Sequence, residues 1–299
     1  MPKIIVGIDE SDRSKDAVAL ASRLARGSHA ELILVCAYPY GDSPSRAANP
    51  GYMGFLEEDA EAAIKRAREG LRDRPRVVAS TIVESSPAKA IDTVAAREQA
   101  SLIVVGSSHR GTVGRVLAGT TAERLLHGSP CPVAVAPNGV AGKEERAIRT
   151  IAVAYDGSEE SKAALVGATV AARALGAQLR IVEVLDMAWV GTPALMSGPG
   201  YIAPPRELEQ RARENLQKFV AGLPAGDEAE PVVIVGDPVG ELTAQSESAD
   251  LMVIGSRGYG PLRAVLLGSV SGRLVREAAC PVIVVPRGVE KPLEELFRA

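Results

Sequence analysis

Three glycines and a hydroxyl group near the C-terminus have the spacing that a phosphate-binding loop requires. Gly255, Gly258 and Gly268 follow an apolar run, and Ser269 comes directly after the third glycine. A buried strand that opens into a glycine-rich loop before a helix can turn several backbone N–H groups toward one point. The N-terminus of the helix adds partial positive charge there. The spacing predicts a site for a phosphate chain. The alternative is a glycine-rich loop that serves only as a turn.

The chain contains two copies of one domain. Residues 106–137 and 255–286 align without gaps, and 13 of these 32 positions are identical. Residues 5–11 return in the same way as residues 152–158. Such self-similarity at offsets of 149 and 147 residues, nearly half the chain of 299 residues, predicts a tandem repeat. We place domain 1 at residues 1–138 and domain 2 at residues 148–287, joined by a polar, charged linker over residues 138–149.

Apolar runs alternate with helical patterns in each copy. In copy one the predicted strands are Lys3–Ile8, Glu31–Ala37, Val77–Val83, Leu102–Val105 and Pro132–Ala136, with helices between them. This alternation is typical of an α/β fold with a doubly wound parallel sheet. We therefore predict two tandem Rossmann-like domains, each with a five-stranded parallel sheet in the order 3-2-1-4-5.

In such a sheet a ligand binds outside the carboxyl ends of the strands, where the strand order reverses. The reversal lies between strands one and four, so the residues after these strands should be neighbours in space. They are Asp9 and Gly106 in copy one, and Asp156 and Gly255 in copy two. Each aspartate could instead cap a helix or form a plain turn, which is a common use of Asp after a strand.

The pattern Gly255-x2-Gly258-x9-Gly268-Ser269 after a strand resembles the nucleotide-binding signature of the ATP-binding branch of the universal stress protein family. The resemblance implies ATP as the ligand, alone or with Mg²⁺. It places Asp156 at the adenosine end and Val184 along the adenine, whereas Arg257 could also be a solvated loop charge. The nucleotide-binding residues that it implies are Gly7, Asp9, Gly106, Ser107, Gly111, Gly119, Thr120 and Thr121 in copy one, and Ala154, Asp156, Val184, Gly255, Ser256, Arg257, Gly258, Gly260, Gly268, Ser269 and Val270 in copy two.

Copy one departs from this pattern at His109, which takes the place of the middle glycine. A histidine tolerates positive φ better than most residues, but it brings a Cβ to the loop. We therefore expect copy two to bind nucleotide more tightly than copy one.

Composition argues against several classes of partner. The net charge of −3 and the small set of aromatics, 3 Phe, 6 Tyr and 1 Trp, are unlike a nucleic-acid-binding protein. We also expect no membrane span, because no apolar stretch approaches about 18 residues, and we expect a cytoplasmic protein. Cys36, Cys131 and Cys280 form no C-x-x-C pair. We predict neither a disulfide framework nor a metal site.

The sequence favours an ATP-binding regulator or sensor of stress over an enzyme, and we expect no catalytic residues. It contains no Walker A pattern and no nucleophile elbow. One alternative is a scaffold of the same fold that does not use nucleotide. A more distant one is an ATP-dependent adenylating enzyme with a phosphate loop at residues 155–158, although Asp156, Glu159 and Glu160 put negative charge where that loop needs bare N–H groups.

Two further features predict assembly and motion. Val133–Ala136 and Val282–Val285 are short apolar strands bounded by prolines. Because an unpaired apolar edge invites another strand, we expect the two copies to pack as a pseudo-twofold pair and two chains to form a homodimer.

The long loops at residues 38–54 and 186–204 are predicted to be mobile flaps. The downstream protein partner is not indicated by the sequence.

Overall fold

The computed structural model shows an α/β protein built around one sheet. It describes residues 1–11, 13–38, 50–69, 71, 77–84, 86–107, 119–143, 146–186, 205–222, 229–256, 269–289 and 293–298. Among these residues, no helix has the length and apolar character needed to cross a membrane.

Both repeats contain the same succession of elements. The strands are β1 Lys3–Ile8, β2 Glu31–Tyr38, β3 Val77–Glu84, β4 Leu102–Gly106, β5 Val133–Ala136, β6 Thr150–Ala154, β7 Gln178–Leu185, β8 Ala229–Val235, β9 Leu251–Ser256 and β10 Val282–Pro286. The helices are α1 Arg13–Ser28, α2 Pro50–Glu69, α3 Pro87–Arg97, α4 Thr120–Leu126, α5 Glu159–Leu175, α6 Pro205–Ala221, α7 Pro238–Ser246, α8 Ser269–Glu277 and α9 Glu294–Phe297. A short 3₁₀ turn lies at Ala141–Lys143.

The strand order confirms the predicted fold class and shows how the two sheets are joined. The order is β3-β2-β1-β4-β5-β10-β9-β6-β7-β8, so each repeat has the expected order 3-2-1-4-5 with parallel neighbours. The expected five-stranded parallel sheet is present in each half. The two halves form one ten-stranded sheet, because β5 and β10 pair with each other in antiparallel orientation.

The pairing of β5 with β10 is symmetric between the repeats. Val133 lies opposite Val284, Ala134 opposite Ile283, and Val135 opposite Val282. If each residue is replaced by its counterpart in the other repeat, the Val133–Val284 pair becomes the Val282–Val135 pair. The pair of Ala134 and Ile283 lies at the centre of this symmetry. The expected pseudo-twofold pairing is therefore confirmed. The same pairing removes the basis for the homodimer prediction, since both apolar edges are satisfied within the chain. A homodimer stays a prediction and would need another surface.

Two apolar cores lie on opposite faces of the sheet, and each contains residues of both repeats. One core packs α1, α2, α5, α6 and α9 against the sheet. The other packs α3, α4, α7 and α8 against it. Across the second face, the guanidinium of Arg276 on α8 lies 2.8 Å from the Glu123 carboxylate on α4. The repeats are thus joined by strand pairing and by packing on both sides.

Two carboxylates hold the two ends of the linker by hydrogen bonds, and one of them, Asp16, is buried. Asp16 on α1 is 3% exposed and accepts hydrogen bonds from the backbone N–H groups of Gly139 and Ala141. At the other end, the Asp250 carboxylate accepts from the N–H groups of Arg149 and Thr150. These charge-assisted hydrogen bonds satisfy backbone N–H groups of the linker and of the first residue of β6.

Local sequence explains where several helices begin. Proline opens α2, α3, α6 and α7, which is favourable because the first helical residue needs no N–H donor. As a result α2 starts at Pro50, inside the loop predicted for residues 38–54. The rest of that loop and nearly all of the loop at 186–204 lie outside the described residues.

The C-terminal helix α9 is docked, with Leu293, Leu296 and Phe297 buried in the core that contains α5.

Candidate functional site

The loops after strands one and four meet in each repeat, as predicted. β1 pairs in parallel with β4, and β6 pairs in parallel with β9. The carboxyl ends of parallel neighbours lie at the same edge of a sheet. This places Asp9 near Ser107 in repeat one and Asp156 near Ser256 in repeat two, at the point where the strand order reverses.

Asp9 organises the turn from β1 into α1. Its Oδ1 accepts hydrogen bonds from the N–H of Ser11 at 2.9 Å and from the Ser11 hydroxyl at 2.6 Å. Ser14 Oγ lies 2.8 Å from the same oxygen and accepts from the Asp9 N–H. Among the residues described by the structure, every hydrogen bond to this carboxylate reaches Oδ1. Asp9 therefore has the turn-forming role left open by the sequence, and its contact with nucleotide stays a prediction.

Repeat two reproduces this turn. Asp156 Oδ1 accepts from the N–H of Ser158 at 3.0 Å and from its hydroxyl. Ser158 in turn caps α5, because its Oγ accepts from the Ser161 N–H at 3.2 Å. Capping of this kind satisfies one of the donors left open at a helix start. The two aspartates thus have equivalent structural roles.

The glycines that end strand four have a packing role that the sequence did not indicate. A Cβ on Gly106 would lie 2.6 Å from the carbonyl oxygen of Arg13, in the first turn of α1. A Cβ on Gly255 would lie 2.4 Å from the carbonyl carbon of Glu160 and 2.8 Å from the N atom of Ser161. These are backbone atoms and cannot move aside cheaply. In both repeats the helix after strand one therefore requires glycine at this position.

Three of the predicted nucleotide-binding residues share one face of the sheet. Ala154 belongs to the core beside α7 and α8, and Val184 and Val270 pack against that core. In repeat one, Gly7 stands where Ala154 does. A Cβ on Gly7 would lie 2.8 Å from Cδ1 of Ile91 and 3.0 Å from Cγ1 of Val105. Small residues at this point of strand one are therefore also explained by packing on the sheet.

The hydroxyl residues lie at the helix starts and strand ends. Ser256 is fully buried, and the Ser271 hydroxyl lies 3.3 Å from the Ser256 hydroxyl. Ser107 donates its N–H to the Ala136 carbonyl at 2.9 Å, and its Oγ is buried without a hydrogen-bond partner among the described residues. Gly119 is the N-cap of α4 in extended conformation, followed by Thr120 and Thr121. Ser269 begins α8.

Five predicted residues lie outside the described ranges, and so does His109. They are Gly111, Arg257, Gly258, Gly260 and Gly268. Their contacts with phosphate stay predictions.

A cavity of about 440 Å³ lies at the carboxyl ends of β1 and β2 in repeat one. Its lining residues are Asp9, Glu10, Ser11, Cys36, Ala37, Tyr38, Leu56 and Ala60. Sequence reasoning missed Ala37, although the repeat offset could have found it. The register Lys3–Glu31 matches the register Thr150–Gln178, so Ala37 is the counterpart of Val184. The cavity therefore contains Asp9 and Ala37, the counterparts of the two residues assigned to the adenosine end. Its other walls, Cys36 and α2, belong to the sheet face opposite the one on which Ala154, Val184 and Val270 pack.

The thiol in this cavity is a weak acid. Burial, reinforced by the negative charges of Asp9 and Glu10, raises the pKa of Cys36 to about 11. At neutral pH the side chain is a protonated thiol. The thiolate, rather than the thiol, is the nucleophile in cysteine chemistry, so Cys36 contributes an apolar wall and little reactivity.

Repeat two has different side chains at the matching end of its strands. The ring of Tyr155 stacks on that of Phe219 from α6, with centroids 5.0 Å apart and an interplanar angle of 21°. Glu183 on β7 is half-buried nearby. Burial, and secondarily the negative charge of Asp156, raises the pKa of the Glu183 carboxyl above its usual range.

Comparison with known proteins identifies the family. The model of the universal stress protein family matches residues 1–137 and again residues 147–286. The chain belongs to the universal stress protein family. It is 33% identical over 242 residues to a universal stress protein of Mycobacterium tuberculosis, covering 79% of this chain and 80% of the relative. It is 31% identical over 304 residues to one of Mycolicibacterium smegmatis, covering 94% and 96%.

Solved structures agree on the fold of this universal stress protein. A universal stress protein from Archaeoglobus fulgidus superposes with a TM-score of 0.66 at 21% identity, covering 96% of this chain and 98% of that one. One from Pseudomonas aeruginosa gives a TM-score of 0.64 at 18% identity, covering 100% and 98%. The likeness extends over both repeats.

The packing role of Gly255 can be tested by adding one methyl group. We expect Gly255→Ala to lower the free energy of unfolding by about 1–3 kcal/mol, because the new Cβ overlaps the backbone of α5. Gly128→Ala is the matched control, since a Cβ there has nothing within 4 Å, and it should change stability by less than about 0.5 kcal/mol. Urea titration measures both. Equal effects of the two variants would show that the helix does not require glycine at position 255.

The raised pKa of Glu183 predicts a pH-dependent stability difference. A carboxyl whose pKa is higher in the folded state contributes stability below its unfolded pKa, near 4.5, and loses that contribution as pH rises through the folded value. Glu183→Gln should therefore match the native protein below about pH 4.5 and become increasingly more stable above it. Glu58→Gln, at an exposed position of α2, is the control. Thermal unfolding across this pH range measures the difference, and a pH-independent offset would contradict the prediction.

Proposed function

We propose that this universal stress protein binds ATP at the carboxyl ends of its strands and acts as a nucleotide-dependent regulator or sensor. The observation that carries the proposal is the cavity between β1, β2 and α2. Its volume of about 440 Å³ lies within the usual range of small-molecule sites. It is lined by Asp9 and by Ala37, the counterparts of the residues that the family resemblance places at adenosine.

The chemistry of the cavity suits a nucleoside. Cys36, Ala37, Leu56 and Ala60 supply apolar walls against which a flat base can pack. Because the described hydrogen bonds to Asp9 all reach Oδ1, Oδ2 is available to accept from a ribose hydroxyl. The phosphates would then extend toward the loop after β4, where the sequence predicts backbone donors.

The helix that covers the cavity supports a regulatory role. Leu56 and Ala60 belong to α2, so a bound nucleotide would contact this helix directly. The neighbouring Phe55 is 56% exposed on the outside of the same helix. Occupancy of the cavity could therefore change how α2 is presented to a partner protein or to a second copy of the chain. The protonated Cys36 thiol argues against nucleophilic catalysis here.

A nucleotide-independent scaffold is the second candidate. The observation in its favour is that Gly106 and Gly255 are needed by backbone packing alone, and that Asp9 and Asp156 form turns. These residues would be required even in a protein that binds nothing.

Thermal unfolding with and without ATP separates the two candidates. We expect millimolar ATP to raise the unfolding temperature of the wild type, because a ligand that binds only the native state stabilises it. Leu56→Trp should fill the cavity and weaken ATP binding at least about tenfold, a loss of roughly 1.4 kcal/mol. Phe55→Trp, one residue away on the exposed side of α2, should respond to ATP like the wild type. No response of the wild type would favour the scaffold, and a full response of Leu56→Trp would place the ligand elsewhere.

A further inference from the structure

The two repeats differ in charge at matching positions around the strand ends. Strand register equates residues 8 and 36 of repeat one with residues 155 and 183 of repeat two. Repeat one has Ile8 and Cys36 there, whereas repeat two has Tyr155 and Glu183. The apolar pair of repeat one is thus replaced by a hydroxyl-bearing ring and a carboxyl group.

The first helical turn beside strand four carries a cation in repeat one and an anion in repeat two. Arg13 begins α1, and its Cβ lies 3.0 Å from the position that a Cβ on Gly106 would take. One guanidinium nitrogen of Arg13 is buried. At the same place in repeat two stands Glu160, whose carboxylate lies 3.2 Å from the Arg287 guanidinium and is 11% exposed.

The formal charges of the two loops reflect this exchange. Residues 9–13 together with residue 36 hold three acidic groups and one arginine, a sum of −2, with the thiol of Cys36 neutral. Residues 156–160 together with residue 183 hold four acidic side chains and no basic one, a sum of −4. The Arg287 guanidinium that pairs with Glu160 brings this sum to −3. An anionic ligand therefore meets a less negative surface in repeat one. The first turn of α1, which carries Arg13, lies against Gly106 at the end of β4.

The space for a ligand at the strand ends also differs between the repeats, and it favours repeat one. In repeat one the cavity lies between the strand ends and α2. In repeat two the Tyr155 ring extends from the end of β6 to stack on Phe219 of α6, between the corresponding elements. A base entering at this point of repeat two would have to displace an aromatic pair.

We propose that the repeats have diverged in specificity, with repeat one taking nucleoside polyphosphates and repeat two discriminating against them through Glu160, Glu183 and Tyr155. The proposal rests on the proposed function, and it identifies Arg13 as the cation that selects phosphate-bearing ligands. The substitution at His109 alone predicts that repeat two binds ATP more tightly, whereas this proposal predicts tighter binding in repeat one.

Calorimetry with two ligands on the full chain tests this assignment. ATP probes phosphate recognition, and adenosine probes the base and ribose alone. Arg13→Gln should weaken the tighter ATP site about tenfold or more, the loss expected for one charge-assisted contact, and should change adenosine affinity by less than about twofold. Glu160→Gln, the matched change in repeat two, should leave the tighter ATP site unchanged and strengthen the weaker one. Unfolding temperatures without ligand show that both variants are folded.

The outcomes separate the two proposals. If neither ATP nor adenosine binds the wild type, the proposed function is overturned. If ATP binds but Arg13→Gln has no effect, or if Glu160→Gln weakens the tighter site, the assignment of that site to repeat one is overturned while nucleotide binding stands. Equal loss of ATP and adenosine affinity in Arg13→Gln would also contradict it, because Arg13 would then not act on phosphate.

Discussion

The close approach of a helix to the end of strand four sets the geometry on which the rest of each repeat depends. The first turn of α1 lies against Gly106, and the first turn of α5 lies against Gly255, at distances that leave no room for a Cβ. This contact fixes the direction in which each helix leaves strand one. It also brings the aspartate turn and the loop after strand four together. The candidate site is therefore a consequence of backbone packing before any ligand is considered.

The antiparallel pairing of β5 with β10 extends this arrangement to the whole chain. It satisfies two apolar strand edges at once and joins both repeats into one sheet. Each core then spans both repeats, so neither half is an independent hydrophobic unit. One consequence is that the two candidate sites lie on one continuous sheet. Another is that the repeats need not stay identical, because the fold depends on their shared contacts rather than on their loops.

Much of this fold could be predicted from sequence because its signals are local or periodic. The repeat offset, the alternation of strands and helices, and the Pro-bounded apolar strands at Val133 and Val282 led to the strand order and to the pairing of the copies. The antiparallel register of β5 with β10 was not predicted, because the sequence indicates that the two edges pair but not how they align. The glycines were recognised as special positions, but their immediate cause is a helix that lies more than 90 residues away along the chain.

The residues that line the cavity were also not predicted, and the reason is different. Leu56, Ala60 and Cys36 are ordinary core residue types, and only the placement of α2 over the strand ends turns them into a lining. The stacking of Tyr155 on Phe219 likewise joins residues from separate elements. Sequence comparison of the repeats does show that residues 8, 13 and 36 differ from residues 155, 160 and 183. Their meaning becomes clear only when the structure places all three at one end of the sheet.

The central claim is that the cavity of repeat one is a nucleotide site. The most direct measurement is a crystal structure of the full chain grown with a non-hydrolysable ATP analogue. The account predicts electron density for the base among Cys36, Ala37 and Leu56, with a ribose hydroxyl near Asp9. Density confined to repeat two beside Asp156, or an empty cavity at saturating analogue, would contradict it.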